Sequence, residues 1–284
     1  MYSNDPKLKK IQEVNLKMAQ YFVDFCNENE LLCYFCGGGA IGAIRHHGFI
    51  PWDDDLDFFM PRNDYEKLIQ LWGKNKDERY VLVSANEQLN DRNSFTTIRD
   101  TQTTFIKTYQ ADLDLPHGIQ LDIFPLDTAP DDLSERKKQK RWALIYALYR
   151  SQQVPQNHGS LLKVAGRMLL TLPAKTKYKI WRYAEKQMTK YNQQPTQNIT
   201  ELCVGPRYMG NVYPWKDFEK AKWVPFEDTQ MPIPIGYDDY LKQAFGDYME
   251  LPPEEARVAH HEAVFLDPEQ PYTLYRGKYY LKGE

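Results

Sequence analysis

Long apolar runs are missing from this chain. No stretch approaches the roughly 20 residues that a helix needs to cross a bilayer. The N-terminal "MYSNDPKLKKIQEV" also lacks the apolar centre of a secretory leader. An excess of one charge is missing too: 36 Lys and Arg stand against 39 Asp and Glu, a net charge of −3, so there is no general pull toward nucleic acid. Cysteine is scarce, with Cys26, Cys33, Cys36 and Cys203 only. Cys33 and Cys36 form a C-x-x-C, but no second pair completes a zinc site. Their setting, "LLCYFCGGG", reads as an apolar strand in which they are small buried side chains. These absences lead us to expect a cytoplasmic protein with no nucleic-acid partner. At 284 residues the chain can form one large domain or two modest ones. Aromatics reach 14%, which suits stacking on sugars or bases and equally suits a core.

The hydrophobic pattern predicts an order of α-β-α-β-α-β-β-β-β up to residue 127. Residues 6–30 space Leu8, Ile11, Val14 or Asn15, Met18, Phe22 and Phe25 by three and four, an amphipathic helix. "LLCYFC" is a short buried strand, broken by Gly37-Gly38-Gly39 before a short helix that Gly48 ends. "LDFFM" is a second strand, and "NDYEKLIQLWGK" a helix that Asn63 or Asp64 can cap. Strands follow at 80–85, 94–100, 103–109 and 117–127. The second and third of these are joined by a hairpin turn at Asp100-Thr101-Gln102, and the last ends at Pro125. From Arg136 to Lys186 there are thirteen Lys or Arg and one acidic residue, Glu185. This basic helical block is either a solvated face or a docking surface for a polyanion or an anionic membrane. "SLLKVAGRMLLTLP" at 160–173 could lie on a bilayer surface. The divisions expected are 1–130, 131–200 and 201–284.

The chemistry concentrates in "RHHGFIPWDDDLDFFM" (45–60). Alternate strand residues share a face, so Asp55 and Asp57 point together, with Asp53 if the strand begins early enough. Two carboxylates about 4 Å apart repel by about 4 kcal/mol at an effective dielectric of 20. A cation would resolve that, and oxygen-only ligands suit Mg²⁺ or Mn²⁺. Asp122, alone in the apolar strand "GIQLDIFPLD", is the third acid of the expected metal site. Asp54 and Asp127 read as surface or turn residues. Gly37, Gly38 and Gly39 form a strand-to-helix turn whose backbone can approach a phosphate.

"YFCGGGAIGAIRHHGFIPWDDDLDFFMPRNDYEKL" resembles the LicD family of phosphotransferases, which includes fukutin and the fukutin-related protein. The chain has Gly-Gly-Ala where the family commonly has Gly-Thr-Leu. "HGIQLDIFPLD" and "MPIPIGYDDYLKQAFGDYMELPPEEARVAHHE" are similar to the family's later blocks. The resemblance implies an α+β, nucleotidyltransferase-like fold: a mixed β-sheet flanked by helices, carrying the basic helical region as an insertion. It implies Asp55 and Asp57 as the paired metal ligands and Asp122 as the third. It also implies a CDP-alcohol donor and, as acceptor, a glycopolymer or lipid-linked saccharide such as teichoic acid, capsule or lipopolysaccharide. Phosphocholine is the expected group transferred. Arg45, His46, Arg257, His260 and His261 are candidates for the donor phosphates, Asp122 or Asp53 for the base, and Trp52, Tyr109 and Trp215 for a choline cage. A peripheral location at the inner membrane face would suit a lipid-linked acceptor. Two other readings stay open: transfer of a nucleoside monophosphate through the same metal triad, and a non-catalytic glycan-binding protein.

Overall fold

The computed structural model describes residues 2–75, 77–152, 169–194, 197–258 and 263–283. The fold is mixed α/β. Helix α1 (Pro6–Glu28) starts where the Asp5 carboxylate accepts from the Lys7 and Leu8 N–H groups. Strand β1 (Tyr34–Cys36) runs straight into α2 (Gly37–Arg45), and β2 (Asp57–Pro61) into α3 (Arg62–Trp72). Then come β3 (Tyr80–Val83), β4 (Thr96–Asp100), β5 (Thr104–Lys107) and β6 (Gln120–Thr128). Helices α4 (Leu133–Ser151) and α5 (Ala174–Thr189) precede β7 (Asn198–Glu201) and β8 (Tyr213–Pro214). Last are β9 (Ala221–Phe226), β10 (Thr229–Pro234), α6 (Tyr237–Phe245) and β11 (Ala263–Asp267).

One seven-stranded sheet carries the order β1-β2-β6-β4-β3, with β7 and β8 continuing from β6. Only β2 and β6 are parallel. Phe58 on one face meets Phe22 of α1 and Phe35 of β1 at ring separations of 4.8 Å. Phe59 on the other face meets Tyr240 of α6 at 5.6 Å and Phe124 of β6 at 6.3 Å. The apolar periodicity read for α1 holds, since Ile11, Val14, Met18 and Phe22 are buried. The four cysteines are free and buried.

Four local expectations are corrected. β4 and β5 do not form a hairpin, because β5 pairs with β11. Residues 117–119 take the place beside them: Ile119 O accepts from Asp100 N–H and His117 O from Phe105 N–H. Only glycine fits at 118, where a Cβ would lie 1.9 Å from Asp100 O. Pro125 does not end its strand, since β6 continues to Thr128 through its pairing with β7. The first turn of α3 has no side-chain cap from Asn63 or Asp64. Finally, the glycine triplet is the first turn of α2 rather than a loop before it.

Candidate active site

The end of β1 and the starts of α2, β2 and β6 meet at one place. Cys36 pairs with Asp57 across β1 and β2, and Asp57 pairs with Asp122 across β2 and β6. Register partners in parallel strands share a face, so the two carboxylates point the same way. Ahead of β2 the chain is irregular from 53 to 56. Two polar side chains of α1 hold it by its backbone: Gln12 Nε2 donates to Asp53 O (2.8 Å) and Asn15 Nδ2 to Asp54 O (2.9 Å). Because the backbone acceptors are taken by α1, this turn's path is fixed independently of its carboxylates.

Among the described residues, one set of three carboxylates brings oxygens within 4.8 Å of one another: Asp53, Asp54 and Asp55. That set differs from the alternating one expected, because β2 begins only at Asp57 and strand alternation cannot extend back through the turn. Asp54 is buried, not a surface residue, with its backbone tied to α1. Asp57 is the focus of the charge. Burial first, then Asp55, Asp122 and Asp53, push its carboxyl well above the usual carboxylate range, against an opposing pull from Lys107. Its Oδ1 is a buried oxygen with no hydrogen-bond partner. An orphaned oxygen amid other carboxylates is a donor set for a hard divalent cation.

Two cations that the sequence reading passed over stand behind Asp122. Lys107 of β5 is buried, with Nζ 3.9 Å from Asp122 Oδ2. Burial lowers the Lys107 pKa, but Asp122, Tyr109 and Asp55 outweigh it, so the ammonium is held above its usual value. Gln120, two residues before Asp122 and on its face, donates from Nε2 to Asp122 Oδ1. Arg99 of β4 is fully buried, its guanidinium donating to Thr97, Gln110 and the Pro116 carbonyl. A signal for Lys107 was present: a lone charge in the apolar strand "TTFIKTY" is as costly as Asp122 in its own strand.

At the start of α2 the Gly37 N–H donates to Tyr240 Oη (3.0 Å). The Asp53 carboxylate lies over the next residue, and a Cβ at Gly38 would stand 2.1 Å from Asp53 Oδ2. The far end of α2 gathers the basic candidates. Arg45 donates to Tyr248 O (2.8 Å) and Glu250 O (3.0 Å). Burial and then Arg257 lower its pKa, and burial and then Arg45 lower that of His46. Arg257 lies over the Trp52 ring at 5.7 Å, and His46 meets that ring edge-on at 6.4 Å. Thus Arg45, His46, Trp52 and Arg257 form one cluster. His260 and His261 lie outside the described residues.

The three aromatic candidates are not brought together. Tyr109 donates its hydroxyl to Asn93, and Trp215 lines a small cleft with Arg62 and Asn192 at the other end of β2. Asp127 is also not a surface residue. It is fully buried and bound by both Arg62 Nε (2.8 Å) and Arg62 Nη2 (2.7 Å). Arg136 and Arg150 of the basic block are buried with partners, whereas Lys179, Arg182 and Lys186 are exposed. A cleft of about 920 Å³ lies between α3, α4 and α5. Its walls include none of the acidic residues 53–57 or 122.

Residues 31–159 match the family model described as LicD/FKTN/FKRP, nucleotidyltransferase domain. The chain carries a LicD-family domain. The "Lipopolysaccharide cholinephosphotransferase LicD" of Haemophilus influenzae (strain ATCC 51907 / DSM 11121 / KW20 / Rd) is 28% identical over 273 residues, covering 91% of this chain and 98% of that protein. The LicD-matching segment contains the acidic turn, Asp57, Lys107, Gln120 and Asp122. Tyr240, Arg257 and β11, which pairs with Lys107, come from beyond it. No described helix is long and apolar enough to cross a membrane.

Proposed function

We propose that this protein is a LicD-type phosphotransferase with a nucleotidyltransferase-like catalytic sheet. It transfers a phospho-alcohol, phosphocholine first among them, from a CDP-alcohol to a sugar hydroxyl of a surface glycopolymer of the lipopolysaccharide kind. The observation that carries this reading is the Asp57–Asp122 pair on adjacent parallel strands, with an orphaned Asp57 oxygen, inside the LicD-matching segment. The similarity to a lipopolysaccharide cholinephosphotransferase along nearly the whole chain points to the same class of transfer.

In this reading Asp55, Asp57 and Asp122 hold Mg²⁺ or Mn²⁺. When bound, that ion would neutralise the donor diphosphate and the charge growing on departing CMP. The chain's own residues do the rest. Arg45 and Arg257 present positive charge, and His46 a ring nitrogen, beside Trp52 to the phosphate oxygens. The Gly37–Gly39 turn at the start of α2 lets the backbone approach the donor phosphates. Asp122 or Asp53 accepts the proton of the attacking hydroxyl. The exposed basic side chains of α5 offer a surface to an anionic acceptor or an anionic membrane.

The test is product analysis. The protein is incubated with CDP-choline, CDP-ribitol and CDP-glycerol, with Mg²⁺ and a choline-free lipopolysaccharide. CMP release that depends on acceptor and metal is expected, with CDP-choline turned over fastest. The family model's nucleotidyltransferase description favours one alternative. Pyrophosphate released from a nucleoside triphosphate, with no CMP from any CDP-alcohol, would replace our reading with that one.

A further inference from the structure

We infer that this site takes one divalent cation rather than two, because the Lys107 ammonium supplies the second positive charge. The inference rests on the metal-dependent reading above and goes beyond it in fixing the number of ions.

Two-metal phosphoryl sites hold their ions about 3.5–4 Å apart on shared carboxylates. Here the carboxylate able to be shared already accepts a hydrogen bond on one oxygen and faces an ammonium with the other. Asp122 Oδ1 accepts from Gln120 Nε2, and Oδ2 faces Lys107 Nζ at 3.9 Å. A Mg²⁺ ligated at about 2.1 Å from Oδ2 would lie no farther than about 6 Å from that ammonium. The ammonium cannot easily retreat. Lys107 is 6% exposed, its strand is hydrogen-bonded to β11 at Ala263, and its Nζ lies 5.7 Å from the centre of the Phe105 ring. The fully buried Arg99 stands on the same face of the sheet and adds a second fixed positive charge near Asp122. On the opposite side the orphaned Asp57 Oδ1 asks for one cation. Asp53 reaches over Gly38 at the start of α2 while its carboxylate stays grouped with those of Asp54 and Asp55. The layout is therefore one ion on the carboxylates around Asp57, with one ammonium already beside Asp122.

The layout makes Lys107 a positioning residue with an unusual signature, since it should weaken metal binding while it supports turnover. The test is titration of the metal-free full-length protein with Mn²⁺, counting bound ions by calorimetry and by electron paramagnetic resonance. One Mn²⁺ per chain is expected. Lys107→Met should bind the first Mn²⁺ about tenfold more tightly, or admit a second, as a nearby positive charge is removed. Its CMP release should nevertheless slow. Lys107→Arg should keep the wild-type count and affinity. A residue that merely fills space would give none of this pattern. Two Mn²⁺ per wild-type chain would overturn the inference and leave the metal reading standing. So would a folded Lys107→Met protein with unaltered count and affinity. No Mn²⁺ at all would remove the metal reading and this inference with it. Should Lys107→Met fail to fold, the wild-type count and the Lys107→Arg titration still decide.

Discussion

Strands β2 and β6 lie side by side and in parallel, and a charged pair stands at each end of their contact. Asp57 faces Asp122 at the start, and Arg62 grips Asp127 at the finish, five residues along both chains. The finish is closed electrostatically. Opposite charges meet in a two-point fork, and Asn192 Nδ2 adds a hydrogen bond to Asp127 at 2.7 Å. The start is open. Like charges meet, one oxygen has no partner, and burial raises the price of every proton lost. The same residue type in the same strand is therefore neutralised by a fork at position 127 and, in the function proposed above, a cation ligand at 122.

The comparison can be broken most forcefully at the closed end. Arg62→Met leaves Asp127 buried and half-partnered, so a loss of about 3–5 kcal/mol in urea unfolding is expected. The double variant Arg62→Met/Asp127→Leu should recover most of it. If the single change costs less than about 1 kcal/mol, the closed end is not the clamp described. At the open end the expectation is reversed. Asp57→Asn should slow CMP release on the order of a hundredfold or more, while the metal-free protein melts no lower than wild type. A clear fall in metal-free melting temperature would make Asp57 structural after all.

Glu201 sharpens the contrast, because it is a buried acid near the closed end. Its Oε1 accepts from the Cys203 and Val204 N–H groups, and Oε2 has no partner. Burial, against those two hydrogen bonds, pushes its pKa up to about 8. An acid whose folded pKa exceeds its unfolded value holds more protons when folded. Its stabilising contribution is thus complete below the ordinary glutamate value of 4.5 and is lost as pH rises to about 8. Relative to Glu201→Gln, wild type should lose about 5 °C of melting temperature between those limits. A parallel pH course in the two proteins would show that Glu201 does not titrate there. The smallest effect belongs to an exposed pair on the same helix as Arg62. Lys67 Nζ lies 3.2 Å from Asp64 Oδ1 with the lysine side chain 59% exposed, and Lys67→Ala should cost under about 0.5 kcal/mol in the same urea assay.

Much of this was legible in the residues. The order of the first nine elements followed from periodicity; Asp55 and Asp57 stood out by strand alternation, and Asp122 because a carboxylate among Leu and Ile is costly without a partner. Lys107 carried the same signal with the opposite sign. Asp127 was misread because its partner, Arg62, lies 65 residues earlier, and no local pattern announces such a pairing. The hairpin at residues 100–102 was misread for a similar reason. β5 forms its ladder with β11, about 160 residues on, and a turn signal does not reveal which strand will claim the edge.

The sequence by itself determined the order of helices and strands up to residue 127, since side-chain periodicity and backbone preference act over a few residues. It also marked "DDDLDFF" as more than a solvated loop, because its flanks are apolar, though the stretch read as strand rather than as the irregular turn that precedes β2. Only the tertiary structure decided which carboxylates face one another. It set Asp57 beside Asp122, grouped Asp53 with Asp54 and Asp55, and placed Lys107 next to Asp122. Those outcomes depend on strand register and on contacts between residues tens of positions apart. Electrostatic energy follows distance in space, and the chain encodes that distance only once it has folded.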